Sequence, residues 1–360
     1  MKKTSFLMCP LLVINFLLSG CIDQQILDDV ELTTAVGYDL ISDDLIEATA
    51  VVPQYQPDSS VTNKTFSATS KLTKDISDKL TRQSSKPFVS GKLEVTLYST
   101  ELAKEGLRNI IDIFERDPHI GSRLYLVIAE GELKKQLNIQ YGTIDNGMFL
   151  SKMIEHNVES GMLPKTNLHQ FTKSLYSDGI DPFLPFIKLE GKVANIEGIA
   201  VFKEDKYIDL IPEEDCSIFK MLLERSTKDV SLSIELEEDS ARASVHSIAT
   251  KRSYKIKTPM QNPDIKINLD INAVIREYSN GRITKQVTSK IEKKMEKIIR
   301  NRANKMINNF QNQQIDPLGI GNQVKYQARY WDPQKWDVLY PDSSIDVKVN
   351  VKINQAGVVK

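Results

Sequence analysis

The sequence predicts an α+β fold: a multi-domain chain with mainly antiparallel sheets, whose C-terminal domain carries one long amphipathic helix packed on its sheet. Three observations predict it. Runs of alternating or β-branched residues recur along the chain and are joined by short turns, as in hairpins. One stretch, roughly Thr284 to Phe310, holds a helical apolar period far longer than any other. The strands in the second half follow one another without helices between them, which favours antiparallel pairing over a doubly wound sheet.

In chain order, Leu32–Tyr38 and Leu45–Val52 read as two strands turned by Ser42-Asp43-Asp44. Residues 57–64 are polar and turn-rich, and Thr65–Ser70 is a further candidate strand. Leu72, Ile76 and Leu80 fall at helical spacing before the break at Ser84-Ser85-Lys86-Pro87. Leu93, Val95 and Leu97 alternate as in a strand, and Leu102, Leu107, Ile110, Ile111 and Phe114 mark a helix that Asp117-Pro118 ends. Leu124–Ala129 is a continuous apolar run, the mark of a strand buried on both faces. Helical spacing returns from Met148 to Val158, closed by Gly161 and Pro164. Phe183-Leu184-Pro185-Phe186 then precede a strand pair, Asn195–Phe202 and Tyr207–Leu210. Strands follow at Val230–Leu236, Ala241–Thr250, Ser253–Lys257 and Ile265–Tyr278, then the long helix, then Ile345–Ile353 with its Val/Ile face inward.

The N-terminus carries a different signal. Lys2 and Lys3 precede the apolar run Phe6–Leu18, and Leu18-Ser19-Gly20-Cys21 resembles a bacterial lipobox. In that motif a diacylglyceryl group is placed on the thiol, the chain is cut before the Cys, and fatty acyl chains such as palmitate complete the anchor. The apolar run is shorter than the ~20 residues a spanning helix needs. A plain secretory signal followed by an incidental Cys is the rival reading. Residues 1–20 are thus expected to be a signal peptide and 21–30 a lipidated tether attached at Cys21. An N-terminal α+β region over 31–190 and a C-terminal α+β domain over 191–360 complete the expected organisation.

Removal of residues 1–20 leaves 45 Lys+Arg against 48 Asp+Glu, a slightly acidic body that does not suit general nucleic-acid binding. With Cys9 gone and Cys21 lipidated, only Cys216 remains, so no internal disulfide forms. Its neighbours Glu213, Glu214 and Asp215 raise a thiol pKa, the wrong direction for a nucleophile, and it reads as a small buried hydrophobe. His119, His156, His169 and His246 show no metal-ligand spacing, and no calcium loop, P-loop or G-x-S-x-G occurs. Gly319-Ile320-Gly321 follows a helix and not a strand, so it reads as backbone turning, with Asp316-Pro317 stopping the helix. The acidic pairs Asp28-Asp29, Asp43-Asp44, Glu213-Glu214 and Glu237-Glu238 read as solvated loop residues. No catalytic residue, metal or cofactor site is assigned, and the chain is read as no enzyme.

The long helix is the one strong electrostatic feature. Val287, Ile291, Met295, Ile298, Ile299, Ala303, Met306, Ile307 and Phe310 form its apolar stripe. Lys285, Lys290, Lys293, Lys294, Lys297, Arg300, Arg302 and Lys305 surround it, with Glu292 and Glu296 opposing them. A core-packed helix with a solvated basic face and a face for anionic lipid or an acidic partner both fit that pattern.

Cys21-Ile22-Asp23-Gln24-Gln25-Ile26-Leu27-Asp28-Asp29, followed by Val36-Gly37-Tyr38-Asp39, resembles the start of the Ger(x)C lipoproteins, the C subunits of the spore germinant receptors of endospore-forming bacteria. Leu102–Leu107, Asp112–Pro118 and Leu126–Gly131 are similar to that family's next motifs. Asp316–Gly321, Trp336 and Asp346–Ile353 are similar to its closing pattern. Ile22 and Ile26 depart from it, standing where the family commonly has Trp and Glu. The resemblance implies a three-domain α+β receptor component without enzymatic activity, with the N-terminal region over 31–190 as two subdomains divided near residue 95. It implies attachment to the outer face of the inner spore membrane, and integral-membrane A and B subunits as partners. Nutrient binding in the family is placed on the B subunit, so no ligand pocket is assigned to this chain. A solute-binding lipoprotein of a membrane transporter is the competing reading. That class usually has two lobes of alternating parallel strands and helices, which the C-terminal half does not offer.

Overall fold

The computed structural model describes residues 29–354, apart from Ser59 and residues 237–240. The first half lays down β1 (Glu31–Leu32), β2 (Ala35–Ser42), β3 (Leu45–Tyr55), β4 (Val61–Ser70), α1 (Thr73–Thr81), β5 (Phe88–Val89), β6 (Val95–Ser99), α2 (Thr100–Glu105), α3 (Arg108–Arg116) and β7 (Tyr125–Glu130). It continues with α4 (Leu133–Leu137), α5 (Asn146–Glu159), α6 (Leu168–Leu175), β8 (Phe183–Glu190), β9 (Val193–Lys203) and β10 (Lys206–Pro212). Eight of these strands form one sheet in the order β10-β9-β8-β7-β6-β2-β3-β4, while β1 and β5 make a separate parallel pair.

The flanks of that sheet are antiparallel: the β2–β3 and β9–β10 pairs are the expected ones, and β4 and β8 extend them on β3 and β9. Its centre differs from expectation, because β2, β6, β7 and β8 run parallel. The physical reason is the helices between them, which carry the chain back across the sheet before the next strand begins. Leu126–Ala129 accordingly lies buried on both faces. Val95, Leu97, Val127 and Ala129 face one core, and Tyr98, Leu126 and Ile128 face the other.

The second half contributes α7 (Glu213–Leu223), β11 (Ser226–Thr227), β12 (Val230–Leu236), β13 (Ala241–Lys257), β14 (Asp264–Tyr278), α8 (Lys285–Gln313), α9 (Ile320–Gln327), α10 (Pro333–Leu339) and β15 (Ser344–Ile353). The two strands expected at 241–250 and 253–257 are one, β13, bent by register shifts near Val245 and Ala249. β14 pairs with β13 antiparallel and with β15 parallel, and β15 is an edge.

The long helix starts where the Thr284 hydroxyl accepts the N–H of Val287, at 3.2 Å. It ends at Gln314 in the left-handed region, φ 55°. Its buried apolar side chains are Ile291, Met295, Ile299, Ala303, Met306, Ile307 and Phe310, the larger ones worth roughly 1.5–3 kcal/mol each. They join a core that also takes in α5, α7 and one face of the eight-stranded sheet. The division expected at residues 190 and 191 lies in the turn between β8 and β9, neighbouring strands of that sheet.

Helices α4, α6, α7, α9 and α10 are absent from the expected elements; Gly319 does turn the backbone, at φ 65°, but Ile320 and Gly321 open α9. α4 and α6 are only 5 and 8 residues long. α7 buries Cys216, Ile218, Phe219, Lys220, Met221 and Leu222, apolar nearly all round, which erases the period that marks a surface helix.

Candidate functional site

Cys21, the expected lipid-attachment residue, and the tether through Asp28 lie outside the described residues. The described chain enters the body through β1. Glu31 N–H donates to the Pro87 carbonyl at 2.9 Å, Thr33 N–H to Val89 at 3.1 Å, and Thr34 N–H to Val51 at 3.0 Å. Glu31, Thr33 and Thr34 are buried, so the described chain is bonded into the body from Glu31 onward.

Asp181, just before β8, and Asp316, just after α8, form a buried carboxylate junction. Asp316 Oδ1 accepts the N–H of Ile320 at 2.9 Å and Oδ2 that of Gly321 at 2.7 Å, closing the first turn of α9. Asp181 Oδ2 accepts the N–H of Asp316 at 2.7 Å, and its Oδ1 the N–H of Glu204 at 3.2 Å. Lys203 Nζ stands 3.5 Å from Asp181. Burial pushes the Asp316 carboxyl up to about 7, against the two backbone N–H bonds that favour its anion; the Asp181 carboxyl raises it further and Lys203 opposes. Asp181 is raised too, again mainly by burial. The long helix ends at the left-handed Gln314, just ahead of Asp316-Pro317, and the Asp316 carboxylate then starts the next helix.

The basic helix is packed as expected, but its two glutamates do not balance its lysines. Glu296 Oε1 accepts the N–H of Val351 at 2.9 Å, Glu292 Oε1 that of Ile353 at 2.8 Å, and Asn304 Oδ1 that of Val347 at 3.2 Å. Four helical residues advance about 6 Å and two strand residues about 6.6 Å, so α8 keeps pace with the edge of β15 as it runs beside it. Lys293, Lys297, Arg300 and Lys305 are exposed. Arg302 turns back to α7, donating to the Glu214 carbonyl at 2.9 Å and lying 3.4 Å from Asp215. An open groove of about 710 Å³ lies between α8 and β10, with Ile211 and Phe310 in its floor and Asn301, Lys305, Asn308 and Asn312 on its wall.

The other candidates are dispersed. Cys216 is wholly buried, with its thiol pushed up to about 12 by desolvation and then by Glu213, Asp215 and Glu214. Asp43 and Asp44 make the β2–β3 turn, and Glu213 and Glu214 open α7; Glu237 and Glu238 lie outside the described residues. His119 pairs with Asp117 at 3.0 Å, and His246 with Ser231 at 3.0 Å and Asp229 at 3.3 Å. Among the described residues, no group of three or more His, Cys, Asp or Glu is placed to hold a metal ion. Sequence reasoning missed Lys220. Its buried ammonium donates to the carbonyls of Val158 at 2.5 Å and Leu163 at 2.9 Å, closing the end of α5, and desolvation lowers its pKa. No described helix is long and apolar enough to cross a membrane.

Residues 23–189 match the model of the spore germination protein N-terminal domain, and residues 197–357 match that of the spore germination B3/GerAC-like C-terminal domain. The chain belongs to the Ger(x)C family. Spore germination protein GerQC of Bacillus cereus is 27% identical over 356 residues, 97% of this chain and 98% of that protein. Spore germination protein KC of Bacillus subtilis (strain 168) is 22% identical over 399 residues, 99% of this chain and 97% of that protein. The crystal structure of the GerBC protein superposes with a TM-score of 0.56 at 16% identity, covering 91% of this chain and 99% of that one, a likeness of fold.

The Ger(x)C motifs turn out to be packing devices. At Gly37 a Cβ would stand 2.7 Å from Leu137 Cδ1, so glycine lets α4 lie on the strand, while Asp39 accepts the N–H groups of Leu133 and Lys134 at 3.1 Å each. Tyr38 stacks on Tyr98 with ring centroids 5.7 Å apart. Asp117 of the Arg-Asp-Pro turn accepts the N–H of His119 at 2.9 Å. Gly321 lies against the Trp336 indole and Gly179, where a Cβ would collide with both. The motif 346–353 is the body of β15. The departures Ile22 and Ile26 fall outside the described residues.

Proposed function

We propose that this chain is a non-enzymatic lipoprotein subunit of a spore nutrient germinant receptor. Lipid on Cys21 holds it to the outer face of the inner spore membrane, and it assembles there with integral-membrane A and B subunits to permit nutrient-triggered germination. The observation that supports this most strongly is family membership across both halves of the chain. The lipobox-like Leu18-Ser19-Gly20-Cys21 behind a basic and apolar leader supports the attachment. A single acyl chain binds membranes only marginally, so two or three chains are expected on a lasting anchor.

The test is co-purification from spore inner membranes using a tagged chain with Cys21 or Cys21→Ala. Recovery of A- and B-type subunits with the parent chain, and release of the Cys21→Ala chain into the soluble fraction, is the expected result. Undiminished membrane retention and germination with Cys21→Ala overturns the lipid anchor. Recovery of an ABC-type permease in place of receptor subunits moves the chain to the solute-binding reading.

A further inference from the structure

The three most exposed large apolar side chains among the described residues lie close together in sequence: Tyr326 at 78%, Tyr330 at 76% and Val338 at 75%. Isolated surface hydrophobes are ordinary, but three so exposed on one short segment are not. Basic groups lie on the same segment. Arg329 sits 5.5 Å from the Tyr330 ring centroid, Lys325 5.8 Å from that of Trp331, and Lys335 is exposed nearby. Of the acids on this segment, Asp332 caps α10 by accepting the N–H of Lys335 at 3.2 Å, and Asp337 is exposed. Asp178 pairs with Lys325 at 3.1 Å.

The cluster stands on a rigid base. Trp336 is 2% exposed and packs between Trp331 and Tyr340, with tilted rings at 6.0 and 5.5 Å between centroids, the Tyr340 hydroxyl donates to the Ile315 carbonyl at 2.9 Å, and Asp316 holds the start of α9. Its position in the fold then says what it faces. Parallel register sets Ala35, Val95 and Tyr125 side by side. Ile128 pairs with Phe186, so Phe183, three residues earlier, is level with Tyr125. Just before Phe183, the Gly179 carbonyl accepts the N–H of Asn322, and Asp181 N–H donates to the Asp316 carbonyl, both at 2.9 Å. α9 is therefore docked at the end of the sheet where the parallel strands begin, and there the chain enters through Thr33 and Thr34. β2 and β8 are three strand steps apart, about 14 Å. The nine residues from 22 to 30 can reach at most roughly 30 Å, which confines this end of the body to the neighbourhood of the anchor.

We propose that Tyr326, Arg329, Tyr330 and Lys335 form a foot that docks on the phospholipid headgroups of the membrane holding the tether. Exposed Tyr rings place an apolar body and a polar tip at the headgroup level, and Arg and Lys answer the phosphates. A lipid tether by itself sets distance alone; the foot would fix which side of the protein faces the bilayer. The inference rests on the tether reading.

The test uses the mature chain from residue 21 with Cys21→Ser, which carries no lipid, floated with vesicles of phosphatidylcholine with or without phosphatidylglycerol. The unlipidated chain is expected to float, and Tyr326→Ser/Tyr330→Ser to lower its partition coefficient about tenfold with an unchanged thermal melt. Arg329→Glu/Lys335→Glu is expected to remove the gain from phosphatidylglycerol. No flotation of the parent chain overturns the proposal and leaves the surface to a protein partner. Loss on Lys293→Glu/Lys297→Glu, with the tyrosine variant unaffected, overturns it in favour of the basic face of α8. Because no lipid is attached, failure here leaves the anchor at Cys21 to be judged by the co-purification.

Discussion

Asp316 shows how much a single side chain carries. Its carboxylate starts α9 just beyond the end of α8, and Asp181, which accepts its N–H, ties that junction to the eight-stranded sheet. An aspartate in an unfolded chain titrates near 3.9, whereas Asp316 keeps its proton in the folded protein up to about 7. Between those values the native state binds a proton that the unfolded chain has lost. Stability from this group therefore falls as pH rises from about 4 to about 7, and changes no further above that. Asp316→Asn retains an acceptor for α9 but cannot titrate, so its melting temperature should decline less than the parent's between about pH 4 and about pH 8. Parallel declines would show that the slope belongs to other groups. The sequence marked Asp316-Pro317 as a helix stop but could not reveal the partner at Asp181, 135 residues away.

At the scale of elements, α8 and β15 make one unit. An edge strand offers unpaired N–H groups to any passing chain, and here Glu292, Glu296 and Asn304 of α8 occupy three of them. Glu296→Ala leaves the Val351 N–H without its acceptor and should cost about 1–3 kcal/mol in urea unfolding. Glu296→Gln, which keeps an acceptor oxygen, should recover most of it. An equal loss in both variants would show that the charge matters and not the bond. The helix, its span and its buried stripe were legible, because a long amphipathic period is a strong local signal. That its glutamates serve a strand some 55 residues away was not, since sequence shows them only as charges among lysines.

Across the whole molecule, one core joins both halves. Ala35, Val95 and Leu97 from the first strands share it with Ile267 and Leu269 of β14 and Ile299 of α8. The boundary suggested at 190/191 separates the two family models, which end at 189 and begin at 197, yet it cuts between paired strands. A chain ending at Glu190 loses β9 and β10 and bares the edge of β8, whose Phe183, Leu184, Phe186 and Ile187 are buried. It should aggregate or melt without cooperativity in calorimetry, where the full chain melts cooperatively. A sharp melt from the fragment would make the halves independent units.

The sequence by itself determined the hairpins, the buried strand at Leu124–Ala129, the long helix and the family, because each rests on local period or contiguous residues. Only the tertiary structure decided the parallel centre of the large sheet, the meeting of Asp181 with Asp316, and the docking of α9 at the end of the sheet where the parallel strands begin. Those depend on which distant strands lie side by side. Hydrogen-bonded backbone and shared burial settle that choice, and neither leaves a pattern within a short window of sequence.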